Sequence, residues 1–345
     1  MEQWFDGTNW YSEKPVLVAD GGIGTGLFAR GLTSGDSPEL WNIEQPQKIL
    51  DLHLEFIKAG SDIILTNSFG ANRARLKLHG LENKIGELCK QAVKLAKEAA
   101  SKSKRQSRVA GSIGPTGEIV EPDGPFSQNE AKQLFNEQAQ ALAEAGADAI
   151  WIETMSSKSE LESAILACAN IGLPIFASMT FDTNAHTMMG VSPADAYAHY
   201  LKLQQQCPQI RFLGVGANCG LGPAETLAAC LRMQQNNQPT LNLLAKSNCG
   251  IPEYKNGAFV FSGTRELMRE YTKFAIDLGI CVIGGCCGSD GNIVSAIREV
   301  VDTHTRASNM PTIEILEQKL GHIYHIKTQQ NKEKTTRRSS KRRQS

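Results

Sequence analysis

Eight short apolar runs, each followed by a longer amphipathic stretch, limit the possible folds of this chain more than any other feature of its sequence. Each run ends in small or polar residues, and the eight lie at Pro15 to Gly22, Asp62 to Phe69, Arg108 to Gly114, Ala147 to Thr154, Pro174 to Phe181, Leu213 to Gly220, Leu241 to Gly250 and Cys281 to Gly288. The amphipathic stretches have the periodicity of helices and lie at Gln45 to Ala59, Glu82 to Ala100, Ser127 to Ala145, Ser157 to Asn170, Ser192 to Gln205, Pro223 to Gln235, Thr264 to Leu278 and Gly291 to Thr303. Strands that are apolar throughout are typical of a parallel sheet buried on both faces, and eight is the number that closes such a sheet. We therefore predict an α/β fold in which a single domain forms a (β/α)8 TIM barrel.

Two other arrangements of strands and helices compete with the barrel. One is an open, doubly wound sheet. The other is a dinucleotide-binding fold, because Gly24 to Ala29 fits the glycine pattern of that motif when it ends in alanine. However, Asp20 at the end of the first strand would point a carboxylate at a pyrophosphate, and no clean strand ending in an acid follows about 20 residues later. The barrel is the better prediction.

The barrel accounts for residues 14–305 and leaves short extensions at both ends. We expect an N-terminal arm over residues 1–13, a C-terminal extension over residues 306–329 with one helix at Ile313 to Leu320, and a basic disordered tail over residues 330–345. The 36 basic and 36 acidic residues of the chain cancel. The segment from Lys327 to Ser345 nevertheless carries eight Lys or Arg and one Glu, so its net charge is +7 and that of residues 1–326 is −7.

Composition excludes several classes of protein. A net charge of zero gives no overall attraction for nucleic acid or for an anionic membrane. The N-terminus is acidic and lacks the apolar run of a secretion signal, and no stretch of about 18 apolar residues is present to span a membrane. The nine cysteines are an odd number and two of them are adjacent, which favours a reduced, cytoplasmic setting over a disulfide framework.

Polar and thiol side chains close most of the predicted strands. In a (β/α)8 barrel the active site forms where strands end and the loops to helices begin. The residues at these positions are Asp20, Asn67, Ser112, Glu153, Thr180, Asp182, Asn218, Cys219, Asn248, Cys249, Cys286 and Cys287. Four thiols and three carboxylates are therefore expected at one rim.

Thiols from different strands are the ligands expected of a soft metal ion, zinc first. Cys286 and Cys287 supply two ligands between glycines, and a third comes from Cys219 or Cys249. Three protein ligands leave one position open, which is typical of a catalytic zinc site. A zinc ion held by three thiolates keeps a net negative charge, so it suits a further thiolate that stays nucleophilic better than it suits water. The substrate is therefore expected to be a thiol.

Two carboxylates and a glycine loop suit the other end of an amino-acid substrate. Asp20 and Glu153 end the first and fourth strands, and a carboxylate pair beside a thiol-binding metal matches an ammonium group. Backbone amides of the glycine loop after Asp20 match a carboxylate. Each acid alone is equally explained as a helix cap or as a loop salt bridge.

These motifs resemble those of the homocysteine S-methyltransferase family, and the resemblance extends from about Val16 to Val301. The glycine-flanked Cys-Cys after the final strand is its most specific element. The matching segments are Asp20 to Gly22 with Gly24 and Thr25, Thr66 to Arg73, Gly114 to Gly117, Ile152 to Thr154, Gly216 to Gly220 and Gly284 to Gly288.

The resemblance implies a zinc-dependent (β/α)8 enzyme that methylates homocysteine to methionine. It implies that the Zn²⁺ ligands are Cys219, Cys286 and Cys287, with Cys249 as a neighbour that does not bind the metal. It places the homocysteine amino group at Asp20 and Glu153. It places the homocysteine carboxylate near the loop that contains Gly22, Gly24 and Thr25.

The methyl donor differs among members of that family: betaine, S-methylmethionine, other sulfonium compounds, or methylcobalamin on another domain or protein. Through Ser34 to Asn42 this chain is most similar to short bacterial members assigned as betaine-homocysteine S-methyltransferases, so betaine is the favoured donor and dimethylglycine the product. A quaternary ammonium group binds on aromatic faces. The candidate donor pocket consists of Trp41, Phe69, Asn72, Thr154 and Phe181. Animal enzymes of this type carry tyrosines where this sequence has Gly70 and Thr154.

A different class of function is a zinc-binding or nucleic-acid-associated protein that uses the basic run Arg337 to Arg343. That run is short and lacks interleaved aromatic residues, so a solvated extension or a localisation signal is the more common explanation. We therefore expect homocysteine and a small methyl donor as partners, without nucleic acid or membrane. The residues outside the barrel leave room for a homo-oligomer interface.

Overall fold

Eight parallel strands form one ring in the computed structural model, which describes residues 10–11, 14–234, 240–255 and 258–324. Ten strands are present in the described residues. In chain order they are β1 (Leu17–Val18), β2 (Ile63–Leu65), β3 (Arg108–Ile113), β4 (Ala149–Met155), β5 (Ile175–Met179), β6 (Phe212–Cys219), β7 (Leu243–Ser247), β8 (Pro252–Lys255), β9 (Ala258–Phe261) and β10 (Val282–Gly285). Two of them, β8 and β9, lie outside the ring. The ring has the order β1, β10, β7, β6, β5, β4, β3, β2. A parallel bridge between Ala19 and Ile63 closes it between β1 and β2. The predicted (β/α)8 TIM barrel is confirmed.

A major helix follows each strand of the ring. The helices are α1 (Ile23–Phe28), α2 (Trp41–Glu44), α3 (Pro46–Ala59), α4 (Arg73–Lys77), α5 (Ile85–Lys102), α6 (Gln128–Glu144), α7 (Lys158–Ala169), α8 (Pro193–Gln206), α9 (Pro223–Gln234), α10 (Arg265–Asp277), α11 (Gly291–Thr303) and α12 (Ile313–Leu320), with a 3₁₀ turn at Pro38–Leu40 before α2. The amphipathic stretches of the sequence correspond to α3 and α5 to α11. None of the helices in the described ranges is both long and apolar enough to cross a membrane.

Local signals in the sequence set several helix ends. Ser127 and Glu130 form a reciprocal capping box at the start of α6, as their spacing indicates. Ser157 likewise accepts the backbone N–H of Glu160 at the start of α7. The Glu160 carboxylate, however, accepts the backbone N–H and hydroxyl of Thr116 at 2.8 and 2.6 Å. The same spacing therefore gives a one-sided cap at α7, because a tertiary partner takes the carboxylate.

The barrel interior is filled from its N-terminal end by aromatic side chains. Trp151 stacks on Phe176 with ring centroids 4.6 Å apart, and Trp10 meets Phe176 edge to face at 5.4 Å. The Arg108 guanidinium lies 4.6 Å from the centre of the Trp10 ring. Trp10 is only 6% exposed, so this part of the expected N-terminal arm belongs to the core. Residues 1–9, 12 and 13 lie outside the described residues.

A buried carboxylate also ties the N-terminal end of the barrel together. Asp62, just before β2, pairs with Lys14 at 2.6 Å, with Arg105 at 3.2 Å and with Arg298 at 2.9 Å. Its Oδ2 also accepts the backbone N–H of Val18 at 2.9 Å. Both oxygens of this carboxylate are therefore engaged, and they join segments from four parts of the chain.

Two features lie outside the alternating pattern of strands and helices. The antiparallel hairpin β8–β9 is inserted between β7 and α10, at the C-terminal end of the ring, and the sequence analysis does not predict it. Helix α12 follows the barrel and contacts α9 and α10. The predicted disordered tail at residues 330–345 lies outside the described residues.

Candidate metal centre and substrate site

Three thiols from distant parts of the chain meet at the C-terminal end of the barrel. Cys219 is the last residue of β6, and Cys286 and Cys287 directly follow β10. Their Sγ atoms all lie within 4.8 Å of one another, and those of Cys219 and Cys287 are 3.9 Å apart. Among the residues that the structure describes, no other group of three or more His, Cys, Asp or Glu has this geometry.

The geometry of the three thiols fits a tetrahedral metal ion. All nine cysteines are free thiols, so these three are available as ligands. Zn–S bonds of about 2.3 Å in tetrahedral geometry separate the sulfurs by about 3.8 Å, which is close to the 3.9 Å between Cys219 and Cys287. Within the described ranges no fourth protein ligand joins the group. A tetrahedral ion held by these three thiols would therefore have one open coordination position.

Cys249, the alternative third ligand, lies beside this group and outside it. Its side chain is 2% exposed, and burial raises the pKa of its thiol to about 11. Its backbone N–H donates to the Cys287 carbonyl at 2.9 Å. In contrast, the pKa of Cys286 is held well below its ordinary value by hydrogen bonds from Cys219 and Cys287, and the charge of Lys246 adds to this.

Asn218 fixes the turn that presents Cys219. The backbone of Cys219 has φ 62°, a left-handed conformation that non-glycine residues adopt at some cost in energy. The Asn218 side chain accepts the backbone N–H of Thr154 at 2.8 Å and the Ser178 hydroxyl at 2.7 Å, and it donates to Thr154 Oγ1 at 2.7 Å. Because these bonds join the ends of β4, β5 and β6, they hold the backbone from which Cys219 turns.

Asn248 joins the two loops that carry the thiols. Its Oδ1 accepts the backbone N–H of Cys287 at 3.0 Å, and its Nδ2 donates to the Gly220 carbonyl at 2.7 Å. Asn248 is 4% exposed, so neither bond competes with bulk water. This single amide therefore sets the spacing between Cys219, which precedes Gly220, and Cys287.

The glycine loop after β1 packs against the loop of the adjacent cysteines. The backbone N–H of Gly22 donates to the Ser289 carbonyl at 2.9 Å, and that of Gly288 donates to Thr25 Oγ1 at 3.1 Å. A Cβ on Gly22 would lie 2.6 Å from the Cys286 carbonyl oxygen, whereas a Cβ on Gly24 would meet nothing within 4 Å. Gly22 is therefore required for this close approach, and the loop lies beside the thiols.

A bulge in β4 places Glu153 on the rim. The pairing of β4 with β5 shifts register between Ile152 and Met155, and Thr154 has φ 64°. Glu153 Oε1 accepts the Ser112 hydroxyl at 2.6 Å. Its Oε2 has no hydrogen-bond partner among the described residues, and the residue is 8% exposed. Burial raises the pKa of Glu153 to about 7, so this carboxyl changes charge near neutral pH.

Asp20, the other predicted carboxylate, is fully buried and is paired with a lysine that the sequence analysis misses. Asp20 Oδ2 accepts the backbone N–H of Leu65 at 2.8 Å, and Oδ1 lies 3.0 Å from Lys246 Nζ. Burial raises the pKa of Asp20. For Lys246, burial alone lowers the pKa, but the negative charges of Asp20, Cys286 and Glu153 outweigh it and leave the pKa above its ordinary value.

The predicted donor-pocket residues lie in different surroundings. Trp41 lines a cavity of about 290 Å³ with Asp36 and Glu44, and Lys48 Nζ already covers its ring at 4.4 Å. Asn72 caps α4 by accepting the backbone N–H of Arg75. The other three lie near the C-terminal ends of barrel strands: the Phe69 ring packs where a Cβ on Gly114 would be, the backbone carbonyl of Phe181 lies beside Gly220, and Thr154 bonds Asn218.

Sequence reasoning identified the thiols, but it missed Lys246 and the bracing role of Asn248. A lysine inside the apolar run Leu243–Ser247 is a signal in itself, since a strand covered on both faces buries its charged side chain, which then requires a partner. The partner Asp20, however, lies just after β1, which is two strands away from β7 in the ring. Nothing in the local sequence indicates that neighbourhood.

A family model described as homocysteine S-methyltransferase matches residues 17–301 of the chain. The betaine-homocysteine S-methyltransferase of Drosophila melanogaster is 28% identical over 321 residues, which cover 85% of this chain and 96% of the relative. The methionine synthase of Mycobacterium tuberculosis is 25% identical over 323 residues, which cover 87% of this chain and 26% of the relative.

A solved structure agrees with these similarities. The metallated form of the homocysteine methyltransferase MmuM from Escherichia coli superposes with a TM-score of 0.69 at 26% identity. The match covers 84% of this chain and 97% of that structure. The likeness therefore includes nearly the whole of the relative, and it extends beyond the barrel topology to the sequence.

Proposed function

The chain belongs to the homocysteine S-methyltransferase family and is a methyltransferase, and from this premise we propose that it transfers a methyl group to the thiolate of L-homocysteine, giving methionine. The observation that carries the proposal is the group of three thiols at the rim, with Sγ atoms within 4.8 Å of one another and no fourth ligand in the described ranges. A thiol substrate completes such a site.

Zinc is the proposed metal, with Cys219, Cys286 and Cys287 as its ligands. Support comes from the all-sulfur donor set, from the 3.9 Å separation of two of the sulfurs and from a relative whose structure is described as metallated. When bound, a zinc ion held by these three thiolates would offer a fourth position at which a substrate thiol would be kept as a nucleophilic thiolate at neutral pH.

The chain's own residues bind and orient the amino-acid end of the substrate. Glu153 Oε2 is the proposed acceptor for the ammonium group, since it lies on the rim and has no hydrogen-bond partner among the described residues. The loop from Gly22 to Thr25 lies beside the substrate carboxylate in this proposal, because it packs on the loop of Cys286 and Cys287. Holding the thiolate in line with a donor methyl accounts for much of the acceleration, since no proton moves in the transfer step.

Glycine betaine is the proposed donor, with dimethylglycine as the second product. Support comes from the similarity to the Drosophila relative over 96% of its length. Phe181, 3% exposed, is the aromatic candidate, since its backbone carbonyl lies beside Gly220 in the Cys219 loop. Trp41 is the weaker candidate, because Lys48 already covers its ring.

Parallel turnover assays test this proposal. Zinc-loaded protein is incubated with L-homocysteine and either betaine, S-methylmethionine or methylcobalamin, and methionine is quantified. We expect methionine and dimethylglycine in equal amounts with betaine. Methionine from only one of the other donors would replace betaine and keep the homocysteine proposal. No methionine with any donor, from protein whose zinc content is one per chain, would contradict the homocysteine proposal.

The proposed setting is the reducing cytoplasm. Three rim thiols must remain unoxidised to bind a metal ion, and all nine cysteines are free in the structure. The alternative of a nucleic-acid-associated protein depends on the basic tail, which lies outside the described residues. Deleting residues 330–345 tests it: we expect methyl transfer to be unchanged.

A further inference from the structure

Lys246 is a buried cation inside the upper part of the barrel. It lies on β7, where it is aligned with Asn218 of β6 on one side and with Gly284 of β10 on the other. The residue is 3% exposed. Its Nζ donates to the Gly21 carbonyl at 3.1 Å and lies 3.0 Å from Asp20 Oδ1. The ammonium group therefore extends across β10 to the loop after β1.

The ion pair with Lys246 leaves Asp20 without a site for a second ammonium group. The other oxygen of the Asp20 carboxylate accepts the backbone N–H of Leu65 at 2.8 Å, and Asp20 has no exposed surface. An ammonium group from a substrate would have to displace the lysine to reach Oδ1. Displacement would leave a second buried positive charge without its partner, which is strongly unfavourable in a protein interior.

Glu153 differs from Asp20 in exposure and in ion pairing. Asp20 Oδ1 also has no hydrogen-bond partner among the described residues, but it is fully buried and lies 3.0 Å from the Lys246 ammonium group. One oxygen of Glu153 accepts the Ser112 hydroxyl, while the other has no hydrogen-bond partner among the described residues. Glu153 also keeps a small exposed surface on the rim. Of the two carboxylates expected at the amino end of the substrate, one is thus filled by the protein and the other is available.

We propose that Lys246 is an internal ammonium group that occupies Asp20, so that Glu153 alone recognises the ammonium group of the amino-acid substrate. Lys246 and Asp20 then act as a positioning pair that holds the glycine loop after β1 against the loop of Cys286 and Cys287. This assignment rests on the proposed function for the identity of the substrate. The two acids then have different roles: Glu153 binds the substrate ammonium group, and Asp20 positions the glycine loop.

Two thiols that differ only in the ammonium group test the division. L-Homocysteine and 4-mercaptobutyrate are titrated into zinc-loaded protein by calorimetry, and the ratio of their dissociation constants is compared among variants. In the wild-type protein we expect homocysteine to bind on the order of 10- to 100-fold more tightly, as a charged hydrogen bond provides. Glu153→Gln should bring the ratio towards one. The double variant Asp20→Asn with Lys246→Met should keep the ratio within about threefold of wild type, even where both thiols bind more weakly.

The ratio separates recognition from a general structural effect. Damage to the fold or to the metal site weakens both thiols alike and leaves the ratio unchanged. A double variant whose ratio falls as far as that of Glu153→Gln would overturn the proposal. If neither thiol binds the zinc-loaded wild-type protein, the proposed function fails, which is a separate result.

A second variant covers the case in which the double variant does not fold. Lys246→Ala removes the internal ammonium and leaves room beside Asp20. We expect added methylammonium to raise the melting temperature of Lys246→Ala by several degrees and to leave that of the wild type unchanged, with tetramethylammonium as the size control. A folded Lys246→Ala protein that gains nothing from methylammonium would contradict the occupancy of Asp20 by an ammonium group.

Discussion

The two ends of the barrel differ in how completely their buried polar groups are paired. At the N-terminal end, Asp62 has both oxygens engaged by Lys14, Arg105, Arg298 and a backbone N–H. At the C-terminal end, one oxygen of Glu153 has no partner among the described residues, and three thiols face one another without a fourth ligand in the described ranges. Complete pairing stabilises the fold, whereas incomplete pairing leaves the groups that we propose to bind a metal ion and a substrate.

Asp20 shows that position on the rim alone does not decide the role of a residue. It follows β1 at the C-terminal side, where catalytic residues of this fold lie, yet it is engaged by the protein through an ion pair with Lys246 and a hydrogen bond from the Leu65 backbone. Glu153 lies on the same rim, and its Oε2 has no hydrogen-bond partner in the part of the chain that the structure describes. The two ends of the barrel therefore differ in how their polar groups are paired. The C-terminal end itself contains both kinds of residue: Asp20 is paired within the protein, whereas Glu153 is the proposed substrate-binding residue.

The largest expected effect is at the thiols. Cys286→Ser should reduce metal content below 0.1 per chain after dialysis and lower methyl transfer by at least about 100-fold, because two protein ligands do not hold the ion. Metal analysis and a methionine assay measure these effects. Cys207→Ser, which changes a thiol outside the group, is the matched control and should retain its metal. Metal retention by Cys286→Ser at the wild-type level would show that the thiols at the C-terminal end do not bind the metal ion.

A large effect of another kind is expected at the N-terminal end. Asp62→Asn should lower the free energy of unfolding by about 3–5 kcal/mol, because it removes the buried carboxylate beside the buried Arg298 and leaves that guanidinium only its pair with the exposed Asp302. Urea denaturation measures this change, and Glu98→Gln, in an exposed pair with Lys102, should change stability by less than about 1 kcal/mol. The folded Asp62→Asn protein should still bind one metal ion per chain. Loss of metal with little loss of stability would contradict the assignment of this end to stability.

An intermediate effect is expected at the amide that joins the thiol loops. Asn248→Ala should weaken metal binding by about 10- to 100-fold, as the loss of a group that orients metal ligands does. Competition with a chromophoric chelator measures the affinity. Asn136→Ala, which removes a helix-to-helix hydrogen bond to Ala167, is the control and should leave the affinity unchanged. Equal affinity for the two variants would show that the thiol loops need no such brace.

The smallest effect is a gain in stability at the C-terminal end. Burial raises the pKa of Glu153 to about 7 from 4.5, so the folded protein binds a proton more tightly than the unfolded chain, and stability falls as pH rises between these values. In metal-free protein, Glu153→Gln should therefore be more stable than wild type by about 1–3 kcal/mol at pH 8 and nearly equal to it at pH 4. Denaturation at the two pH values measures this. A variant less stable than wild type at pH 8 would show that Glu153 serves the fold.

The parts of this account that the sequence predicts are those that depend on local patterns. The eight strands are recognisable because both of their faces are apolar, and Ser127 with Glu130 marks the start of α6. Cys286 and Cys287 are recognisable as candidate ligands because glycines flank two adjacent thiols, and the structure brings both of them together with Cys219. Each of these signals is contained within a few residues.

The parts that the sequence does not predict depend on contacts between distant segments. The bulge at Thr154 follows from its bonds to Asn218, and the pairing of Asp20 with Lys246 requires the ring order that puts β1 and β7 on either side of β10. Which carboxylate remains available is therefore a property of the closed ring. The hairpin β8–β9 is not predicted, because it lies between β7 and α10, where the alternating pattern of strands and helices has no place for a further strand.

The central claim is that the three thiols hold a metal ion whose open position takes the substrate thiol. Zinc X-ray absorption of the zinc-loaded protein, recorded with and without L-homocysteine, tests it most directly. We predict three sulfur ligands per zinc without homocysteine and four with it. A sulfur count that stays at three under saturating homocysteine would contradict the claim.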